Sequence, residues 1–185
     1  MPAEARLEQV GNGLAPVTDG WFVVNARDAA WVEHDVFGRR CKFDTDGRVA
    51  SARPGLEPIM FPEIGYTLTV LHPGKPSGLY HAEDVQEDFF VVSGSCLAIV
   101  EDEERQLTRY DFLHCPAGTS HVFVGGPDGC VLLMIGNRTT RTGIVYPVSE
   151  VARSHGAGAE QQTNSPQEAY AAFGHWRTGG EKPRL

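Results

Sequence analysis

The chain has 185 residues, of which 41% are hydrophobic, and its formal net charge is −8. The length and the hydrophobic content predict one domain with peripheral additions. The negative charge disfavours binding to nucleic acid or to an anionic membrane surface, because both require a basic patch. No apolar run approaches the roughly 20 residues of a membrane span, and the N-terminus lacks the apolar stretch of a secretory signal.

The cysteines also favour an intracellular, reducing environment. Cys41, Cys96, Cys115 and Cys130 are scattered without pairing motifs. The last three lie in apolar strand patterns, where a buried thiol serves as a small hydrophobic side chain. Free thiols persist in reducing compartments, so we expect a cytoplasmic protein.

The first third of the chain predicts short strands and turns. Residues 1–19 are polar and contain Gly and Pro, which predicts a loose segment. Strands are predicted over residues 21–24, 29–34 and 39–43. Residues 51–65 contain three prolines and two glycines, which predicts a long connection of the kind that often forms a lid at a barrel rim. The sequence leaves open whether this connection covers a pocket.

The middle of the chain brings a histidine and two carboxylates together. His81 and Glu83 lie on one short predicted strand, where residues two apart share a face. A bend then leads to Glu87, and Phe89 and Val91 continue on the same face as Glu87. We therefore expect polar and aromatic side chains to line one wall of the predicted sheet.

A second histidine follows a tight turn. Pro116-Ala117-Gly118 is a turn signal, and His121 and Phe123 share a face of the strand after it. The other strands predicted here cover residues 66–71, 96–100, 111–115, 121–124 and 130–135. If these hairpins curl into one barrel, the two histidines meet at its mouth.

Four side chains are therefore candidate metal ligands, namely His81, Glu83, Glu87 and His121. Two imidazoles with one or two carboxylates are a common ligand set for a divalent transition metal. Glu83 has an alternative interpretation, as a solvated carboxylate at the rim or as an acceptor for an imidazole N–H. The candidate pocket residues are Tyr66, Phe89, Val91 and Phe123.

Other polar side chains in this region receive structural interpretations. His114 is interpreted as structural from the alternation of its strand, and Tyr80 and Asp84, which face away from His81, are expected outside the barrel. No role is predicted for the remaining histidines, His34, His72, His155 and His175.

The C-terminal part predicts short helices. Ser149 is a candidate N-cap for one or two helical turns. Ser165 is a second candidate N-cap, with Pro166 at the first helical position and Glu168 at the third. Residues from Arg177 onward are expected to be disordered.

Residues 81–125 resemble the two sequence motifs of the cupin superfamily of small β-barrels. The first cupin motif reads Gly, His-x-His, three or four residues, Glu, six residues and Gly. Here it reads His81-Ala82-Glu83, three residues, Glu87, six residues and Gly94. The second cupin motif reads Gly, five residues, Pro-x-Gly, two residues, His, three residues and Asn. Here it contains Pro116-Ala117-Gly118, two residues and then His121.

Three positions depart from these motifs. Glu83 stands where the family usually has its second histidine, Tyr110 stands at the glycine before the second motif, and Gly125 replaces the final asparagine. The first departure changes the metal ligand set, whereas the other two affect turns. The flanking strands extend the resemblance from about Tyr66 to Ile135.

The resemblance implies an all-β fold, a cupin-type double-stranded β-helix (jelly-roll barrel) with a short C-terminal helical extension. The expected parts are a loose segment at 1–19, the barrel at 20–148, and the extension with its tail at 149–185. Cupins often contribute edge strands or N-terminal segments across a two-fold axis, so a homodimer is expected.

The expected cofactor is one divalent transition metal (Fe, Mn, Ni or Zn), and the expected partner is a small-molecule ligand or substrate. Because fold does not fix function, three functions stay open. The apolar side chains of Phe89, Val91 and Phe123 favour a dioxygenase of small aromatic or dicarbonyl compounds. The alternatives are a metal-dependent sugar or polyol isomerase or epimerase, and a non-enzymatic protein that binds a small ligand.

Overall fold

The computed structural model of the protein describes residues 1–139, 143–183 and 185. With 44% strand and 7% helix, the fold confirms the all-β prediction. Its strands are β1 Leu7–Val10, β2 Gly13–Pro16, β3 Val32–His34, β4 Gly38–Cys41, β5 Ile64–Leu71, β6 Ala82–Glu83, β7 Glu87–Val100, β8 Glu103–Thr108, β9 Phe112–Cys115, β10 His121–Asn137, β11 Ile144–Val145 and β12 Arg177–Thr178. Its helices are α1 Gly47–Ala50, α2 Glu150–Ser154 and α3 Pro166–Ala169.

Two long strands organise the main sheet. In the described residues the sheet has eight strands, in the order β12-β3-β4-β5-β10-β7-β8, with β9 also paired to β7. All of these strands pair antiparallel. Residues 87–90 of β7 pair with β9, and residues 95–100 of the same edge pair with β8. One strand therefore serves two partners, which curls the sheet.

A glycine lets β7 bend between these two partners. Strand β7 runs without interruption through Ser93 and Gly94. Gly94 has a φ of +72°, and a Cβ at this position would collide with the backbone oxygen of Gly129 on β10. The register between β7 and β10 shifts in the same region. The glycine is thus a bend within a strand rather than the end of one.

The largest buried cluster lies between β5, β7, β9 and β10. Alternation along β7 places Phe89 and Val91 inside this cluster, while Val92 is exposed. Complete burial of one such side chain contributes about 1.5–3 kcal/mol. The buried members of the cluster are Leu71, Phe89, Val91, Cys96, Ala98, Cys115, Phe123, Cys130 and Leu132. All cysteines of the chain are free and buried, which confirms the burial predicted for Cys96, Cys115 and Cys130.

The N-terminal segment is an ordered hairpin, so the prediction of a loose segment at 1–19 is wrong. Strands β1 and β2 pair antiparallel, and Val10 and Ala15 pack with buried Val32 and Val49. The strand predicted at 21–24 is absent from the described structure, where Trp21 forms only an isolated bridge. The Gly11-Asn12 dipeptide, a common two-residue hairpin turn, was the sequence signal of this hairpin, since Val10 and Gly13 pair on either side of it.

The C-terminal segment returns to the sheet. Ser149 and Ser165 accept hydrogen bonds from the backbone of α2 and α3 respectively, as predicted for N-caps. Residues from Arg177 onward were expected to be disordered, but β12 pairs with β3. The predicted domain boundaries at 20 and 148 stay a prediction, although both flanking segments pack against the barrel strands. No helix in the described part of the chain is long and apolar enough to cross a membrane.

Candidate metal centre

A reciprocal pair of backbone hydrogen bonds places the two motif histidines side by side. The N–H of His81 donates to the carbonyl oxygen of His121 at 3.2 Å, and the N–H of His121 donates to that of His81 at 2.9 Å. The two imidazole centroids lie 5.0 Å apart. The N–H of Gly118 donates to the carbonyl oxygen of Glu83 at 2.7 Å. Backbone pairing therefore joins the two motifs, which lie far apart in the sequence.

Both imidazole rings are oriented by the backbone two residues earlier. Nδ1 of His81 lies 2.7 Å from the carbonyl oxygen of Leu79, and Nδ1 of His121 lies 3.0 Å from that of Thr119. A carbonyl oxygen only accepts hydrogen bonds, so Nδ1 is the protonated nitrogen in both neutral rings. This leaves Nε2 as the nitrogen with a lone pair. A backbone acceptor behind each ring is the usual support of a metal-binding histidine.

Glu87 completes a compact group of three potential ligands. Its Oε2 lies 3.4 Å from Nε2 of His121, and one ligand atom from each of His81, Glu87 and His121 lies within 4.8 Å of the others. Ligand atoms of a tetrahedral zinc-sized ion lie roughly 3.4 Å apart, so the three side chains would have to move closer together to hold one ion. Burial lowers the pKa of His121, which favours the neutral, ligating form.

Glu83 lies beside this group rather than within it. Its Oε1 is 3.9 Å from Nε2 of His81, and its side chain is 12% exposed. The compact group contains His81, Glu87 and His121 but not Glu83. The structure thus brings three of the four candidate ligands together. It places the fourth, Glu83, in the lining of the adjacent cavity. Metal ligation by any of them stays a prediction.

The candidate ligands line a cavity of about 700 Å³. Phe89 and Phe123, two of the predicted pocket residues, line it, and their ring centroids are 4.6 Å apart. Phe89 also packs 4.8 Å from the ring of His121. Aromatic rings therefore form the floor below the ligand group.

The predictions for Tyr66 and Val91 are wrong. Tyr66 is 36% exposed and packs near Phe61, whereas its neighbours Gly65 and Thr67 line the cavity. Because side chains alternate along a strand, Tyr66 projects from the opposite face of β5. Val91 follows the predicted face of β7 but lies deeper, fully buried in the core cluster.

The C-terminal segment forms a wall of the cavity. Tyr170, Phe173 and Trp176 line it, and the ring of Phe37 packs 4.9 Å from that of Phe173. Of residues 51–65, all of which the structure describes, only Gly65 belongs to the lining. The sequence left open whether the Pro-rich connection covers the pocket, and in the structure the aromatic side chains after α3 form this wall instead.

His34, to which no role was assigned, holds this wall in place. Its Nε2 lies 2.9 Å from the carbonyl oxygen of Gly174, and its Nδ1 accepts from the N–H of Val36 at 3.1 Å. The ring therefore donates through Nε2 and accepts through Nδ1. Its centroid is 5.3 Å from that of Trp176. No local pattern in the sequence indicates this contact, because its partners are separated by most of the chain.

Tyr80 and His114 both lie away from the candidate ligands. Tyr80 packs with Ile99, Val122 and Ala152, on the face of the sheet opposite the inner cluster, which agrees with its predicted position outside the barrel. The C-terminal segment covers it, so Tyr80 is 2% exposed, and its hydroxyl accepts from the N–H of Asp102 at 3.0 Å. His114 lies on the outer surface, where its side chain is 50% exposed and Nδ1 is 2.6 Å from Asp88. His114 is not part of the group of candidate ligands, which is consistent with its structural interpretation.

Sequence reasoning also missed the basic residues of the cavity. Arg40 and Lys42 on or after β4, Arg48 in α1 and Arg138 after β10 all line it. The net charge of −8 hides this local concentration, because composition does not show where the positive charges meet.

The fold and the site define a small antiparallel β-barrel protein with a candidate divalent-metal centre at a cavity. Residues 67–136 match the family model of the cupin domain, and the chain contains a small domain of the cupin superfamily. No curated protein sequence matches the chain.

Several solved structures are similar to this chain. A putative sugar phosphate isomerase from Acidithiobacillus ferrooxidans is 25% identical, with a TM-score of 0.44 over 61% of this chain and 70% of that chain. A sugar phosphate isomerase from Silicibacter pomeroyi is 27% identical, with a TM-score of 0.40 over 53% of this chain and 66% of that chain. The polyketide cyclase RemF from Streptomyces resistomycificus is 15% identical, with a TM-score of 0.50 over 67% of this chain and 83% of that chain. The similarity to RemF shows a shared fold.

Proposed function

We propose that the protein is a metal-dependent enzyme that acts on a small molecule. His81, Glu87 and His121 would hold one divalent transition metal, Fe, Mn, Ni or Zn. The support is the spacing of their ligand atoms within 4.8 Å and the backbone acceptors that orient both rings. When bound, such an ion polarises a carbonyl or enol oxygen of a substrate.

The reaction we propose first is proton transfer on a sugar or polyol, as in an isomerase or epimerase. The observation that carries it is the position of Glu83, which lines the cavity with Oε1 at 3.9 Å from Nε2 of His81 and lies outside the compact ligand group. A carboxylate next to a bound carbonyl compound can remove a proton from the adjacent carbon and return it elsewhere. Glu83 would thus serve as the general base.

A dioxygenase of small aromatic or dicarbonyl compounds is the second candidate. Two histidines and one carboxylate are the ligand set of many non-haem iron oxygenases, and His81, Glu87 and His121 provide it. Phe37, Phe89 and several other aromatic side chains supply apolar surface in the same cavity. The basic cavity side chains and the additional carboxylate favour proton transfer over this alternative.

One experiment separates the two reactions. We would incubate the metal-loaded protein with a panel of aldoses and ketoses in D₂O and follow deuterium incorporation by NMR, with oxygen uptake recorded in parallel on aromatic and dicarbonyl compounds. Proton transfer predicts incorporation that falls about 10²–10⁴-fold in Glu83→Gln. The exposed carboxylate of Glu63 offers the matched control, Glu63→Gln, which should behave as the wild type.

Each alternative has its own result. Oxygen uptake without deuterium incorporation would support the dioxygenase and contradict proton transfer. Neither reaction, together with saturable binding of a small compound, would support a non-enzymatic ligand-binding protein.

We also propose a homodimer. Tyr110 and Phe112 on the outer surface are exposed, as is Val92 on the neighbouring strand, and exposed apolar side chains that lie together often mark an interface. Light scattering should show a dimer at micromolar concentration, and Phe112→Ser should weaken it. A monomeric wild type would contradict this proposal. The cytoplasmic location stays a prediction.

A further inference from the structure

The positive charges in the cavity fall into two pairs with different surroundings. Lys42 forms a salt bridge with Asp46 at 3.2 Å, and Arg138 forms one with Asp44 at 2.5 Å. These two cations are therefore neutralised within the protein. Arg40 and Arg48 make no salt bridge with any residue that the structure describes, so they place two guanidinium charges in the cavity that no carboxylate contacts directly.

Arg40 carries a donor that the protein does not satisfy. One terminal nitrogen of its guanidinium donates to the carbonyl oxygen of Ser77, but its Nε is buried without a hydrogen-bond partner among the described residues. A buried donor without an acceptor is costly and uncommon in native structures. Burial lowers the pKa of Arg40 to about 10, which still leaves the group charged at neutral pH.

Arg48 contributes a second guanidinium next to the same aromatic ring. The guanidinium carbon of Arg40 lies 4.5 Å from the centroid of Trp176, and that of Arg48 lies 5.4 Å from it. Stacking on an aromatic face fixes the plane of a guanidinium while its N–H groups remain able to bind an anion. Trp176 thus brings two forked donors to one side of the cavity.

The distance to the candidate metal centre suits a small molecule. Arg40 donates to Ser77, which precedes His81 by four residues, and four extended residues span at most roughly 14 Å. The two features line the same cavity of about 700 Å³. The arginines and the candidate ligands therefore lie in one cavity whose volume suits a small molecule.

We propose that Arg40, Arg48 and Trp176 form an anion subsite for the carboxylate or phosphate of the substrate. This inference rests on the proposed function, because it adds a feature to the substrate of that reaction. The substrate would be a small hydroxy or oxo compound with one anionic group. Planar guanidinium groups bind carboxylate and phosphate through paired hydrogen bonds. In a protein of net charge −8, this local positive charge also offsets the overall repulsion of an anionic substrate.

Calorimetric titration of the metal-free protein tests this subsite separately from the metal centre. Inorganic phosphate and acetate would each be titrated into wild type dialysed against a chelator, and into Arg40→Gln, Arg48→Gln and Arg105→Gln. Arg105 lies on exposed β8 and pairs with Glu103, so its variant makes the same charge change outside the cavity. We expect one or both anions to bind the wild type. Arg40→Gln should bind them about tenfold or more weakly than the wild type, and Arg48→Gln should also bind them more weakly. Arg105→Gln should bind them with the affinity of the wild type.

The tighter of the two anions identifies whether the substrate group is a phosphate or a carboxylate. Absence of binding to wild type, or equal binding to wild type and both cavity variants, would overturn the subsite. Arg48 is exposed, so Arg48→Gln keeps the test valid even if Arg40→Gln does not fold. Anion binding without any metal binding would refute the proposed metal enzyme and leave the subsite, while the reverse result would refute the subsite alone.

Discussion

A hydrogen bond joins the C-terminal wall of the cavity to the segment that leads to the candidate ligands. The backbone N–H of Leu79 donates to the hydroxyl of Tyr170 at 2.9 Å, and Leu79 is fully buried. The carbonyl oxygen of Leu79 accepts from His81. The Tyr170→Phe variant removes this acceptor while keeping the ring, which packs 5.4 Å from Phe37.

The expected cost follows from the burial of Leu79. Without the hydroxyl, the backbone N–H of a fully buried residue loses its acceptor, which costs about 1–3 kcal/mol of unfolding free energy. For a domain of this size, each kcal/mol lowers the Tm by about 2–4 °C. We therefore expect Tyr170→Phe to lower the Tm by several degrees, measured by circular dichroism, with a matching decrease in the urea midpoint.

Tyr110 provides the matched control. It is an exposed tyrosine whose hydroxyl contacts only the neighbouring Arg109 among the described residues, so Tyr110→Phe should change the unfolding free energy by at most about 0.5 kcal/mol. If Tyr170→Phe were as stable as the wild type and Tyr110→Phe, the proposed anchoring of the C-terminal wall would be refuted.

Two further predictions concern glycines and thiols. Gly94 and Gly118 both have positive φ, but a Cβ at Gly94 meets backbone whereas one at Gly118 meets nothing within 4 Å. Gly118→Ala should cost about 1–2 kcal/mol from strain alone, and Gly94→Ala clearly more; equal urea midpoints would contradict this. Burial raises the pKa of Cys41 to about 11 and that of Cys115 to about 12, so neither should react with a thiol reagent at pH 8 until urea is added. Rapid labelling of the native protein would contradict their burial.

The sequence predicted the parts of the fold whose signals are local. The residues around Glu87 and the Pro-x-Gly turn before His121 were each visible as local patterns, whereas the meeting of His81 with His121 was expected from the resemblance to cupins. The two serine N-caps were also predicted, because capping depends on residues three positions away. Such patterns are visible in one sequence because neighbouring residues determine them.

The remaining features depend on packing between distant segments. Arg40 and Trp176 are separated by most of the chain and meet only because the C-terminal segment returns to the barrel. Tyr66 was assigned to the wrong face because the sequence does not determine which face of a strand with apolar residues on both sides is buried. The fold class could therefore be predicted, whereas the walls of the cavity could not.

Elemental analysis tests the metal centre most directly. The purified protein, reloaded with iron, manganese, nickel or zinc and then desalted, should hold about one ion per chain. His81→Ala should lose this ion, and Glu83→Gln should retain it. His114→Ala, which removes an exposed histidine paired with Asp88, should also retain it. A wild type that holds none of the four metals, or a His81→Ala variant that holds as much as the wild type, would contradict the proposed centre.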